Sequence, residues 1–205
     1  MRSRLPFAAR LAVALAIALL AASLAASPAR AAAVGDVAPA FTLKDLDGLG
    51  HSLADYSGKV VVLEWVNPNC PFSNRHAVEK TMSTLANLHQ EVVWLGINST
   101  RLGHGDYLPP AEHKRWAEKN GVRYAILYDQ SGAVGHAYSA RTTPHMFILD
   151  ERGRIVYDGA IDDDPPGRHQ PGERTNYVGD GLDEHGAGQA VDPASTKPYG
   201  CSVKY

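Results

Sequence analysis

Two cysteines, Cys70 and Cys201, are the only thiols of this 205-residue chain, so any sulfur chemistry rests on one of them or on the pair. Cys70 stands in Asn67-Pro68-Asn69-Cys70-Pro71, after the apolar run Lys59 to Val66 and before a stretch with helical spacing. The pattern puts it where a buried strand ends and a helix begins, and there unpaired amides and the helix dipole stabilise an anion. The thiolate is the nucleophilic form of cysteine, and helix N-termini bring the thiol pKa below its ordinary ~8.5. Pro71 fits the first helical position, where a missing N–H costs nothing. A second feature, Thr143-Pro144, opens a strand expected to run beside that of Cys70; a cis bond there would shape the pocket wall opposite the thiol.

Cys201 lies 131 positions after Cys70, so folding of the tail, not local spacing, must bring the two together. Reach is no obstacle, since an extended chain covers ~3.3 Å per residue. A bridge closing so long a loop is worth roughly 4.7 kcal/mol in the loop-entropy model. Two readings stay open: Cys201 resolves an oxidised Cys70 reversibly, or the bridge is a permanent staple.

Other chemistries find less support. Two cysteines cannot build a four-thiolate zinc or iron–sulfur site. His104, His113, His136 and His145 fall near the expected crevice, but no H-x-x-x-H or H-E-x-x-H pattern organises them, and Asp162-Asp163-Asp164 lacks the spacing of a calcium loop and reads as a solvated turn. Neither a metal nor another cofactor is expected. Trp65 and Trp94 read as core. Asn98-Ser99-Thr100 matches a glycosylation acceptor but abuts a buried strand.

The positioning elements follow from periodicity. Lys59 to Val66 is a β-branched run without polar alternation, the mark of a strand covered on both faces. Phe72 to His89 carries Ala77, Met82, Leu85 and Leu88 at helical spacing, and Glu91 to Asn98 is a second buried strand, which makes a right-handed βαβ unit. Pro110 to Asn120 reads as a helix stopped at Gly121, Ala125 to Asp129 as a strand, Ala133 to Ala140 as a short helix, and 146–160 as a β-hairpin. The expected fold is α/β, a central mixed sheet flanked by helices, with an irregular C-terminal tail containing a short helix over 175–185.

Residues 1–33 combine a basic start (Arg2, Arg4, Arg10), an apolar run from Leu11 to about Ala26, and small residues suited to a signal peptidase. A cleaved signal is preferred to a retained anchor, because the run is short of the ~20 strongly apolar residues of a stable span. The domain plan is therefore a signal over 1–33, a folded domain over 34–161, and an extension over 162–205 carrying Cys201. Without its first 31 residues, which hold four Arg and no acid, the chain has 16 basic against 22 acidic side chains; a nucleic-acid binder is excluded on charge. The mature protein is expected to be periplasmic or extracellular, without stable membrane insertion, where thiols tend to be oxidised.

Taken together, Ala38-Pro39-x-Phe41-Thr42-Leu43, Gly58-Lys59-Val60-Val61-Val62-Leu63, Asn69-Cys70-Pro71-Phe72, Thr143-Pro144 and Tyr199-Gly200-Cys201-Ser202-Val203-Lys204-Tyr205 resemble the thioredoxin-like redoxins, and within them the peroxiredoxin-like branch. The resemblance implies a thioredoxin-like fold over about 34–161, a cis Thr143–Pro144 bond, and a thiol-dependent oxidoreductase with Cys70 and Cys201 as catalytic residues and Pro71, Thr143, Pro144, Asn67 and Arg141 shaping the pocket. It departs in two places. Where thioredoxins carry a second Cys three residues on, this chain has Ser73; where typical peroxiredoxins carry Pro and Thr, it has Leu63 and Asn67. Asn67 as a hydrogen-bond donor and Arg141 as a cation would then serve in place of the peroxide-activating residues. The substrate is a peroxide or a protein disulfide, and the electron donor is a thiol. The non-enzymatic alternative is a secreted binding module with an inert Cys70–Cys201 bridge.

Overall fold

The computed structural model describes residues 32–170 and 172–205. All of the expected signal segment except Ala32 and Ala33 lies outside the described residues.

Nine strands are described: β1 (Thr42–Asp45), β2 (Gly50–Ser52), β3 (Val61–Trp65), β4 (Val93–Asn98), β5 (Ala125–Tyr128), β6 (Thr142–Thr143), β7 (His145–Leu149), β8 (Ile155–Gly159) and β9 (Cys201–Ser202). Seven form one sheet in the order β2-β1-β5-β4-β3-β7-β8, while β6 and β9 pair apart from it. β3 and β4 run parallel, as the βαβ reading requires, and β7 lies antiparallel on the other side of β3. β3 is thus an interior strand, and all five of its residues are buried. That burial explains its β-branched, non-alternating sequence.

Five α-helices are described, α1 (Pro71–Val78), α2 (Thr81–Leu88), α3 (Pro110–Asn120), α4 (Ala133–Ala137) and α5 (Tyr177–Gly186), besides a single 3-10 turn at Leu53–Tyr56. Val61, Leu63 and Trp65 pack on one face of the sheet with Tyr138 and Phe147. Val62 packs on the other with Met82, Leu85, Val178 and Leu182, so α2 and α5 cover that face. The result is the expected mixed sheet with helices on both faces, a thioredoxin-like fold.

The single helix expected over 72–89 is two. Lys80 takes a left-handed conformation (φ 58°) between α1 and α2. The break frees the two segments from a common phase: Met82 and Leu85 reach the core, while His76 of α1 is buried against the C-terminal tail. α3 ends as expected, on Gly121 at φ 72°.

Candidate active site

Cys70 is the N-cap of α1, with extended backbone (φ −84°, ψ 121°) and Pro71 as the first helical residue. The turn before it is locked by Asn67, whose carbonyl accepts from the Cys70 N–H at 3.0 Å. The Asn67 side chain accepts from the Asn69 N–H at 2.8 Å and donates to Thr100 Oγ1 at 2.9 Å. Both ends of that amide are therefore committed to the turn. The Thr143–Pro144 peptide is cis, and the Thr143 carbonyl accepts from the Cys70 thiol at 2.8 Å. Cys70 is only 2% exposed.

The second thiol arrives by sheet pairing. β9 lies antiparallel to β6 in the register Thr143↔Cys201 and Thr142↔Ser202. This sets Cys201 beside the residue that touches Cys70. Gly200 makes the approach possible: its φ is 130°, and a Cβ there would lie 2.2 Å from the Thr143 carbonyl oxygen. Beyond Cys201 the chain stays docked. The Val203 N–H donates to the Arg141 carbonyl at 3.1 Å, and the Arg101 N–H donates to the Lys204 carbonyl at 2.8 Å. The Tyr205 ring stacks on His136 with centroids 3.9 Å apart.

Both cysteines are free thiols, Cys70 buried and Cys201 partly exposed. Burial of Cys70 opposes its ionisation, but hydrogen bonds from the Thr143 hydroxyl, the Cys201 thiol and the Ser73 N–H outweigh it and hold its pKa below the ordinary thiol value. Cys201 is pushed the other way, up to about 11, by burial, by its hydrogen bond to Cys70 and by the charge on that sulfur. The pair is polarised: ionisation is eased at Cys70 and opposed at Cys201.

Asp162-Asp163-Asp164 is not the solvated turn expected. Asp162 and Asp164 are buried, only Asp163 being exposed. Arginines from two directions explain this: Arg174 Nε lies 3.0 Å from the Asp162 carboxylate, and Arg75 Nη1 donates to the Asp164 carbonyl at 3.0 Å. A buried carboxylate is stable only when so paired and hydrogen-bonded. Tyr199 completes the cluster by donating a short hydrogen bond to Asp162. His76, within the same group, is held down to about 3 by burial and by the charges of Arg75 and Arg174, and is neutral.

Of the residues singled out from sequence, Cys70, Cys201, Pro71, Thr143, Pro144 and Asn67 assemble around the thiol pair. Arg141 is exposed and takes part through its backbone. The histidines are dispersed among unrelated partners. His113 packs on Trp116 and Tyr128, His136 on Tyr205, and His145 Nε2 lies 2.6 Å from Asp158 Oδ1, while His104 Nδ1 accepts from the Asp106 N–H. Among the described residues no three His, Cys, Asp or Glu side chains converge as a metal site. Trp65 and Trp94 are core, and Asn98 is fully buried. Two residues had escaped sequence reasoning. Glu64, the lone acid of the apolar run, is buried in β3 and accepts from the Tyr124 hydroxyl at 2.7 Å. Tyr199, two residues before Cys201, had no signal beyond its place in the terminal motif.

Comparison with known proteins decides the family. The profile of the AhpC/TSA family matches residues 34–158. The chain belongs to the AhpC/TSA family. Over 125 residues, 61% of this chain and 68% of the relative, it is 30% identical to the thiol-disulfide oxidoreductase ResA of Geobacillus thermodenitrificans. It is also 26% identical over 128 residues, 59% of this chain and 56% of the relative, to the chloroplastic peroxiredoxin Q of Gentiana triflora. By class it is a thiol-dependent oxidoreductase. A solved structure, that of an uncharacterized conserved protein from Geobacillus kaustophilus, superposes with a TM-score of 0.76 at 31% identity, covering 84% of this chain and 92% of the other. A likeness of that extent passes the end of the AhpC/TSA match and takes in part of the tail. Among the described residues, no helix is long and apolar enough to cross a membrane.

Proposed function

We propose that this AhpC/TSA member is an exported thiol–disulfide oxidoreductase in which Cys70 is the nucleophile and Cys201 the resolving thiol. The observation that carries the reading is the Thr143↔Cys201 register, which seats the second thiol against the first where the turn itself offers only Ser73. The folded domain over 34–161 supplies the nucleophile, and the extension over 162–205 supplies its partner. Export rests on the basic start, apolar run and small residues of 1–33.

The reaction balances as two exchanges. The Cys70 thiolate attacks a substrate disulfide R–S–S–R′, forming Cys70–S–S–R and expelling R′–S⁻. Cys201 then gives up its proton and attacks the Cys70 sulfur, expelling R–S⁻ and leaving the Cys70–Cys201 bridge. An external dithiol returns the pair to its reduced state with two electrons and two protons. Because Cys70 is buried beneath β9, that two-residue strand yields as the substrate enters.

Disulfide exchange is favoured over peroxide reduction on the fate of two side chains. Asn67 spends its donor on Thr100, and Arg141 is exposed, so neither is committed to polarising a peroxide. Peroxide reduction is then a slow side activity. The deciding experiment compares the rate of Cys70 oxidation by hydrogen peroxide with its rate toward a model disulfide by stopped flow. Faster reaction with the disulfide is expected; the reverse order makes the protein a peroxidase.

A further inference from the structure

The tail reaches Cys70 by two connections, and the backbone pairing of β9 with β6 is only one. The other is a side chain. The Tyr199 hydroxyl donates to Asp162, accepts from Arg75 Nη2 at 3.0 Å and lies 2.9 Å from His76 Nε2, while its ring meets the Phe72 ring at 6.0 Å between centroids. Phe72, Arg75 and His76 all belong to α1, the helix that Cys70 caps.

We propose that Tyr199 is a positioning residue: it fastens the segment just before Cys201 to the helix that begins at Cys70, and so holds the resolving thiol over the nucleophile. The proposal rests on the functional reading above and goes beyond it by naming what sets the reach of the second thiol. Only Gly200 separates Tyr199 from Cys201, and the tight passage of that glycine past the Thr143 carbonyl leaves no slack. A displacement of Tyr199 is therefore a displacement of Cys201. Two register pairs alone are a weak hold, since short strand pairings are marginal in water. The anchors at Val203, Lys204 and Tyr205 all lie after Cys201; the Tyr199 cluster holds the chain just before it, with charge-assisted bonds in a buried setting. Asp162 has no exposed side-chain surface, so the tyrosine proton on it has no competing water.

The test equilibrates the full chain with glutathione and its disulfide: Cys70–SH and Cys201–SH pass two electrons and two protons to glutathione disulfide, giving the bridge and two glutathiones. Tyr199→Phe keeps the ring and loses the hydroxyl. Its bridge-forming equilibrium constant is expected to fall about tenfold, equivalent to ~30 mV for a two-electron couple. The midpoint pH for alkylating Cys70 should also rise, because Cys201 no longer delivers its hydrogen bond; Lys204 and Asp106, which also act on Cys201, are untouched. Tyr205→Phe removes a tail anchor on the other side of Cys201, the 2.7 Å bond to the Ala140 carbonyl. It should lower the melting temperature and leave both readouts in place. Should Tyr199→Phe fail to fold, Arg75→Lys keeps the charge on α1 but loses the fork that reaches both Tyr199 and the Asp164 carbonyl, and carries the same expectation. Unchanged equilibrium and pH profile in these variants, or equal shifts in Tyr205→Phe, would overturn the role of Tyr199. A wild-type chain that forms no bridge at all would overturn the functional reading instead.

Discussion

Thr143 touches both cysteines: its carbonyl accepts from the Cys70 thiol at 2.8 Å, and its backbone pairs in register with Cys201. One residue before a cis-proline thus joins two sulfurs separated by most of the folded chain. In a C-x-x-C turn the second thiol is supplied by the first turn of the same helix. Here that place is Ser73, and the tail strand brings the second thiol instead.

The two thiols should separate cleanly by mutation. Cys70→Ser is expected to abolish disulfide exchange. Cys201→Ser should stop after one turnover, with the substrate thiol held on Cys70 and visible as an adduct by intact mass. Because the Cys201 thiol is one of the donors that stabilise the Cys70 anion, Cys201→Ala, which removes that donor where Ser would keep one, should raise the midpoint pH for alkylation of Cys70 relative to wild type. Multiple turnovers in Cys201→Ser would mean that resolution comes from another molecule.

How much of this arrangement could be read from residues differs between its halves. The β3–turn–α1 unit was legible because strand, proline and helix each leave a local mark: a β-branched run, Pro71 at the first helical position, and apolar spacing. The left-handed break at Lys80 was not, since no glycine marks it and the reason for it is tertiary. The tail was the least legible. Two strand residues carry no periodicity, and the burial of Asp162 depends on Arg75 of α1 and Arg174 of the tail, which only the fold brings together on it. An aspartate triplet followed by prolines has the composition of a solvent-exposed turn, and only the converging arginines reverse that.

Gly200 offers a sharper test of tail seating than removal of a side chain. With φ at 130° and a virtual Cβ 2.2 Å from the Thr143 oxygen, Gly200→Ala combines backbone strain with a clash against main chain. A loss of about 1–3 kcal/mol is expected, read as a lower midpoint in chemical denaturation. Cys201 should at the same time become faster to alkylate at neutral pH, since lifting β9 frees it from both the burial and the neighbouring anion that raise its pKa. A variant with wild-type stability and thiol reactivity would show that β9 is not held against β6 in solution.

The Arg174 cluster predicts a cost that surface ion pairs do not carry. Arg174 is 3% exposed at its side chain and pairs with both Asp162 and Glu79. Arg174→Met should destabilise by about 3–5 kcal/mol, because a buried carboxylate is left short of its cation. Lys114, paired with Asp47 at an exposed site, is the control: Lys114→Met should leave the denaturation midpoint close to that of the wild type. Comparable losses in the two variants would contradict the burial of the cluster.

Glu64 sets a pH dependence whose sign follows from its position. Burial in β3 raises its pKa from an ordinary 4.5 to about 7, against a hydrogen bond from Tyr124 that works the other way. The unfolded chain therefore releases this proton first, and between about pH 4.5 and 7 the folded state holds more protons than the unfolded one. Stability from this group is fully present below about pH 4.5, falls as pH rises through 7, and levels off above it; the span is about 3 kcal/mol at 1.36 kcal/mol per unit. Glu64→Gln keeps an acceptor for Tyr124 and removes the titration. Urea denaturation of the two chains should give similar stabilities near pH 4.5, and an advantage for the Glu64→Gln variant that grows up to about pH 8. His76 and His113, whose lowered pKa values act in the opposite direction on the acid side, are common to both chains and cancel in the difference. Parallel stability curves across that range would show that Glu64 ionises in the folded protein as readily as in the unfolded one, and that water reaches it in β3.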